Sequence, residues 1–228
     1  FETMQIQVRH SPSFAVARVN LGPGETCRAE SGAMMATSGG VEVESKAEGG
    51  FMKSLKRSVL SGESFFQTTF KAPANGGWAD FTTRLPGDVV VFDVSEGFNL
   101  TKGAYLCSDA AVTIDTSWGG FKNMWGGEGG FLIHATGSGP VAAACYGALD
   151  TIDLVEGEQL VLDSGHLVGY QGSVTFTTRQ VSKGIMQTLK SGEGLVMEFT
   201  GPGRIYAQTR NADEFVGWLT SVLPFTRE

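Results

Sequence analysis

A chain of 228 residues and 24.2 kDa is long enough for one large all-β domain or two small ones, and its 41% hydrophobic content excludes a disordered chain. Glycine fills 32 positions, roughly twice the ordinary share, yet it has no triplet period and prolines number only 7, which excludes collagen. The balance of 17 basic against 24 acidic side chains, net −7, argues against a general nucleic-acid binder, which needs a basic surface to neutralise phosphate.

Along the chain, PGETCRAE (23–30) and ESGAMMA (30–36) are short segments broken by glycine, as strands are. In GGFMKSLKR (49–57) and just beyond it, Phe51, Leu55 and Val59 fall four apart on one helical stripe, so a glycine-hinged helical turn or loop is expected. FFQTTF (65–70) reads as a strand, and VVVFDV (89–94), nearly continuous apolar, as a strand buried on both faces. TKGAYLC (101–107) is a further glycine and short strand, GGFKNMW (119–125) a second hinged turn, and GGFLIHATGSG (129–139) a strand ending in a glycine turn. QLVLD (159–163), DSGHLVG (163–169) and SVTFTTRQV (173–181) continue the pattern, the last alternating sides like a half-buried antiparallel strand. KGIMQTLK (183–190) is the third hinged turn, and GLVMEFTGPG (194–203) is again strand and turn. At the end the period changes. Asn211 and Glu214 form a capping pair, and Phe215, Trp218, Leu219, Val222 and Leu223 repeat at three and four before Pro224. An amphipathic helix over 212–223 is expected, covering an open sheet end or edge.

Three blocks recur in the same order. Gly62-Glu63, Gly127-Glu128 and Gly192-Glu193 are spaced by 65 and 65 residues; Gly24-Glu25, Gly87-Asp88 and Gly157-Glu158 by 63 and 70; the hinged turns lie between them. Such self-similarity predicts one domain, 1–228, made of three β repeats (about 1–80, 81–147 and 148–211) of pseudo-threefold character plus the terminal helix. The repeats carry 8 basic and 8 acidic residues, 3 and 6, and, for the last with its tail, 6 and 10. Any anionic partner would therefore be expected to approach the first.

No G-x-S-x-G elbow, phosphate loop, G-x-G-x-x-G or H-E-x-x-H occurs, so no catalytic, cofactor-binding or metal-ligating set is assigned. His134 and His166 could meet Asp163 or Glu128 on a metal, but ordinary hydrogen-bonded histidines are the expectation; Ser164 beside His166 reads as a turn rather than a nucleophile. Three cysteines without CxxC spacing read as reduced, buried thiols. Two other sets are candidates for contact. Phe51, Met52, Lys53, Lys56 and Arg57 join positive charge to apolar side chains, as a segment lying on an anionic membrane or an acidic partner would. Glu63, Glu128 and Glu193 follow glycine at the same place in three repeats; they are expected to accept turn amide hydrogen bonds, with an acidic ring binding a cation or basic peptide as the other reading.

PGETCRAESGAMM (23–35), GGFMKSLKRSVLSGESFF (49–66), LPGDVVVFDV (85–94), GEQLVLDSGHLVGY (157–170) and FTGPGRIYAQTR (199–210) together resemble the altered-inheritance-of-mitochondria, or mitochondrial biogenesis, protein family, as a bacterial member. The resemblance spans nearly the whole chain. It implies a fold like that of the tryptophan RNA-binding attenuation protein, a double-stranded β-helix-like body in three β repeats, and a homotrimer; it supplies no catalytic residues. A non-enzymatic binding or scaffolding protein without cofactor is expected, with itself and a membrane-associated or other protein as partners. The alternative is a small-ligand or RNA-binding β ring. No apolar run reaches the ~18 residues of a membrane span and no signal peptide opens the chain, so a cytoplasmic location, extending to the membrane periphery, is expected.

Overall fold

The structure is a computed structural model, and it describes residues 4–45, 67–115, 132–179 and 196–224. The described residues are mostly β, in four sheets, with one α-helix at the C-terminal end. Sheet one has the order β1 (Gln5–Arg9), β2 (Val16–Leu21), β7 (Gly77–Thr82), β4 (Met34–Thr37). Sheet two runs β5 (Glu42–Ser45), β6 (Gln67–Lys71), β3 (Thr26–Glu30), β10 (Tyr105–Asp109), β13 (Pro140–Ala144), β8 (Val89–Asp93). Sheet three runs β11 (Val112–Asp115), β12 (Leu132–Gly137), β9 (Phe98–Thr101), β16 (Leu167–Gln171), β19 (Gly203–Gln208), β14 (Leu149–Leu154). Sheet four is β15 (Gln159–Asp163), β18 (Val196–Thr200), β17 (Thr175–Arg179). Every strand pair is antiparallel.

Successive sheets share successive cores. Ala17, Val19 and Phe81 of sheet one meet Cys27, Phe70 and Ala142 of sheet two. Tyr105 and Ala143 of sheet two meet Leu100, Ile133 and Tyr206 of sheet three. Leu167 and Ile205 of sheet three meet Met197 and Phe199 of sheet four. The two inner sheets are therefore covered on both faces, which explains their unbroken apolar runs. In β13, Ala142 and Ala144 face the first core while Val141 and Ala143 face the second. In β8, Val89 and Val91 go one way, Val90 and Phe92 the other. Sheet one has one covered face, and β2 accordingly alternates, with Val19 fully buried and Asn20 exposed. Each large side chain fully buried in this way stabilises the fold by roughly 2 kcal/mol.

Two expectations are corrected. Gly87-Asp88 does not occupy the place of Gly24-Glu25 and Gly157-Glu158: those two lead into β3 and β15, whereas Gly87 leads into β8, and the turn before β9 is built on Gly97 with φ +74°. Gly87 is glycine for another reason. It bridges to Gly147, and a Cβ on it would stand 1.7 Å from the Cys145 carbonyl oxygen.

The terminal helix α1 (Ala212–Val222) is present, and the Asn211 side chain caps it by accepting from the Asp213 N–H. It does not cover a sheet edge: none of its residues is buried, and Trp218, Val222 and Leu223 are exposed. Its first turn touches the body through Phe215 against the Tyr146 ring, centroids 5.9 Å apart. No helix among the described residues is long and apolar enough to cross a membrane.

Candidate functional site

A cavity of about 600 Å³ opens where the ends of β3, β7, β13 and β19 converge on the 3-10 turn Lys102–Ala104 that precedes β10. Glu30, Arg84, Tyr105, Cys145, Tyr146 and Gln208 lie on its wall. Partial burial raises the Glu30 carboxyl above the usual carboxylate range, and the nearby charges of Arg84 and Lys102 pull it back down. The Tyr105 hydroxyl is locked inside: it lies 2.9 Å from Ser108 Oγ, accepts from Gln67 Nε2 at 2.9 Å and donates to the Arg28 carbonyl at 3.3 Å. Gln208 ties the far wall together. Its Oε1 accepts from the Tyr146 N–H at 2.8 Å and its Nε2 donates to the Gly165 carbonyl at 2.9 Å.

The thiols are not poised for nucleophilic chemistry. Burial pushes Cys27 up to about 12 and Cys107 well above its ordinary value. Cys145 is raised too, first by burial and also by the Asp88 charge, against a hydrogen bond to the Asp88 carbonyl. All three stay protonated near neutral pH, in line with the reading as buried reduced thiols.

His134 and His166 are held apart by ordinary partners. His134 Nδ1 is 2.7 Å from Asn99 Oδ1, and His166 Nδ1 donates to the Gln208 carbonyl at 2.7 Å. Asp163 accepts from the Gly165 N–H at 2.8 Å, and the buried Ser164 opens that one-turn 3-10 segment. No group of three His, Cys, Asp or Glu side chains that could hold a metal ion occurs among the described residues.

Phe51, Met52, Lys53, Lys56 and Arg57 lie outside the described residues, as do Glu63, Glu128 and Glu193. Among the described residues, two other glutamates accept turn amide hydrogen bonds of the kind expected for those three. Glu25 Oε2 accepts from the Gly22 N–H at 2.7 Å, and Glu158 Oε2 from the Val155 N–H at 2.9 Å. Their glycine-glutamate dipeptides were visible in the sequence. What was missed is that the carboxylate reaches back three residues to close the turn.

A second feature was not foreseen. Asp80, on β7 in WADFT, is 1% exposed and takes three charge-assisted hydrogen bonds: from Arg9 at 2.7 Å and from both forks of Arg18 at 2.8 Å. Arg18 also lies 3.9 Å from the centre of the Trp78 ring.

A family model described as mitochondrial biogenesis AIM24 matches residues 6–210. An uncharacterized protein of Streptococcus pyogenes serotype M6 is 28% identical over 230 residues, covering 97% of this chain and 92% of that protein. A crystal structure of a Streptococcus pyogenes protein is similar at a TM-score of 0.77 and 26% identity, over 97% of this chain and 100% of the other.

Proposed function

The chain belongs to the mitochondrial biogenesis AIM24 family, and on that footing we propose that it is a non-enzymatic binding or scaffolding protein acting as a homotrimer of three-repeat, attenuation-protein-like chains. The observation that carries the binding role is α1. Its apolar side, with Trp218 59% exposed, lies against none of the described residues beyond the first turn. An amphipathic helix held out by a rigid β body is a surface for a groove-bearing protein partner. The wall of the cavity fits a structural role: its cysteine is protonated and its best-placed hydroxyl is engaged on all sides. The expected location is the cytoplasm, with the partner free to bring the protein to a membrane.

A photo-crosslinker placed at position 218 in the source cell tests this reading. It should capture one defined partner, whereas the same group at Asp150, on the exposed edge strand β14, should not. Equal capture from both positions, or none from 218, overturns the reading. Light scattering should give about 73 kDa, three times 24.2 kDa, in low salt and in ~1 M salt, since a permanent interface is largely apolar.

A small-ligand ring is the second reading, favoured by the cavity with Arg84 on its rim. Ligand-induced thermal stabilisation abolished by Arg84→Ala would support it. The net charge of −7 weighs against RNA, and a salt-sensitive RNA mobility shift would reverse that judgement.

A further inference from the structure

Sheets two and three are each closed at their middle by one kind of junction. In sheet two, β3 pairs with β10 and sets Ala29 opposite Cys107, Arg28 opposite Ser108 and Cys27 opposite Asp109. In sheet three, β9 pairs with β16 and sets Leu100 opposite Gly169, Asn99 opposite Tyr170 and Phe98 opposite Gln171. The strands entering these junctions are placed alike. Glu30, Thr101 and Asp163 end β3, β9 and β15; after three intervening residues β4, β10 and β16 begin at Met34, Tyr105 and Leu167. Counting from those ends, Ala29, Leu100 and Leu162 are equivalent, and so are Ala36, Cys107 and Gly169. Two members of this set, β15 and β4, lack a junction among the described residues. They are the end strands of sheets four and one.

The side chains on those two edges are out of place for their positions. Tyr105 and Leu106 are 1% exposed, and Leu167 and Val168 are 3% and 0%. Their equivalents on β4, Met34 and Met35, are 48% and 51% exposed. On β15, Val161 is 56% exposed, while Asn99 at the same place in β9 is 2% exposed. Among the described residues nothing covers these apolar groups, and a backbone edge left without a partner strand there is a pairing surface.

We propose that β15 of one copy pairs antiparallel with β4 of the next, in the register of the two internal junctions: Leu162 opposite Ala36, Val161 opposite Thr37 and Leu160 opposite Ser38. Sheet four of one copy and sheet one of the next then become a single sheet whose strands β17-β18-β15-β4-β7-β2 match the six of sheets two and three, with β1 added at the edge. The sizes agree with this register. Leu162 against Ala36 repeats the large-with-small pairing of Leu100 against Gly169, where a Cβ on Gly169 would meet the Leu100 side chain at 2.7 Å. Each copy offers one β15 and one β4, so the contact is head to tail and must close a ring if it is not to run on into a fibre. This deepens the assembly reading and rests on it only for the number of copies.

Directly opposed residues in an antiparallel pair have Cβ atoms about 4.5–5.5 Å apart, so a small local adjustment brings them to the ~3.5–4.5 Å that a disulfide spans. The test is therefore Thr37→Cys with Val161→Cys in one chain, oxidised, compared with Ser38→Cys with Val161→Cys, whose side chains point to opposite faces. The in-register variant should lose its monomer band on a non-reducing gel and run as a covalent ring near 73 kDa, three times 24.2 kDa; the offset variant should not. Hydrogen exchange on the unaltered protein supplies a reading free of substitutions: amides of 34–37 and 159–163 should be protected as well as those of β10 and β16. A trimeric mass with no in-register disulfide and with fast exchange on both edges overturns the strand pairing and leaves the trimer standing. A covalent ring of another size keeps the pairing and overturns the trimer. A monomer with fast-exchanging edges overturns both.

Discussion

Two ion pairs bridge comparable strands at opposite ends of the chain. Arg18–Asp80 joins β2 to β7, and Asp153–Arg204 joins β14 to β19. Their lengths are nearly identical, 2.8 and 2.7 Å. Their surroundings are not: the Asp80 side chain is 2% exposed, under two arginines and an indole, whereas Asp153 is 65% exposed. Water screens the second pair and has been removed from the first, so contact geometry alone says little about what each contributes. Removing one partner of a buried cluster leaves the other charges desolvated and unpaired; removing one partner of an exposed pair leaves a hydrated side chain.

The sharpest way to break the comparison is Asp80→Ala. It should cost about 3 kcal/mol, because Arg9 and Arg18 lose their common acceptor; the midpoint of urea unfolding reads it. Next come two tyrosines near the β3–β10 and β9–β16 junctions. Tyr105→Phe should cost about 1 kcal/mol, since its hydroxyl is bonded to Ser108, Gln67 and the Arg28 carbonyl. Tyr170→Phe should be neutral or stabilising by up to ~1 kcal/mol, because the Tyr170 hydroxyl is buried with no hydrogen-bond partner among the described residues. Opposite signs for one chemical change would show that satisfaction, not burial, sets the energy; equal signs would defeat the argument.

Glu30→Gln should be smaller still and favourable at pH 7, by roughly 0.5 kcal/mol after allowing for solvent screening. Burial raises the folded-state value of Glu30, so the folded chain binds that proton more tightly than the unfolded one. Ionisation therefore destabilises the fold as pH rises through the folded value, and the gain from glutamine should vanish below about pH 4. The least effect is expected from Asp153→Ala, which should leave the unfolding midpoint within error. Arg204 lowers the Asp153 value by hydrogen bonding, so any small contribution is present at neutral pH and fades as pH falls through the carboxylate range.

The strands were legible where turn chemistry brackets alternation. SVTFTTRQV contains β17, and the helix start at Asn211 was marked by its cap. VVVFDV was legible as doubly covered because no polar residue interrupts its first four positions. Strand partners were not. β3 joins β10 across about eighty residues through backbone hydrogen bonds, and those carry no side-chain signature. The error at Gly87 has the same origin: a glycine before an acidic residue marks a turn, but not which strand the turn feeds. Asp80 was missed because an aspartate in an alternating strand reads as solvent-facing, and its two arginines lie 62 and 71 residues away. The cavity wall is assembled from chain ends of several strands, so no contiguous stretch announces it.

The interleaving of strands has a consequence for synthesis on the ribosome. β9 is made early in the chain, but both of its neighbours, β12 and β16, lie downstream. β3 likewise waits for β10 after β6 has joined it, and sheet three is complete only when β19 inserts between β16 and β14. A nascent chain therefore holds unpaired, valine-rich and phenylalanine-rich edges until almost its last strand emerges. Antiparallel pairing over such separations is slow, and exposed edges in that interval are where misassembly begins. A stop after Asp115 would leave β9 with neither neighbour, so premature termination should yield insoluble fragments rather than a smaller folded body.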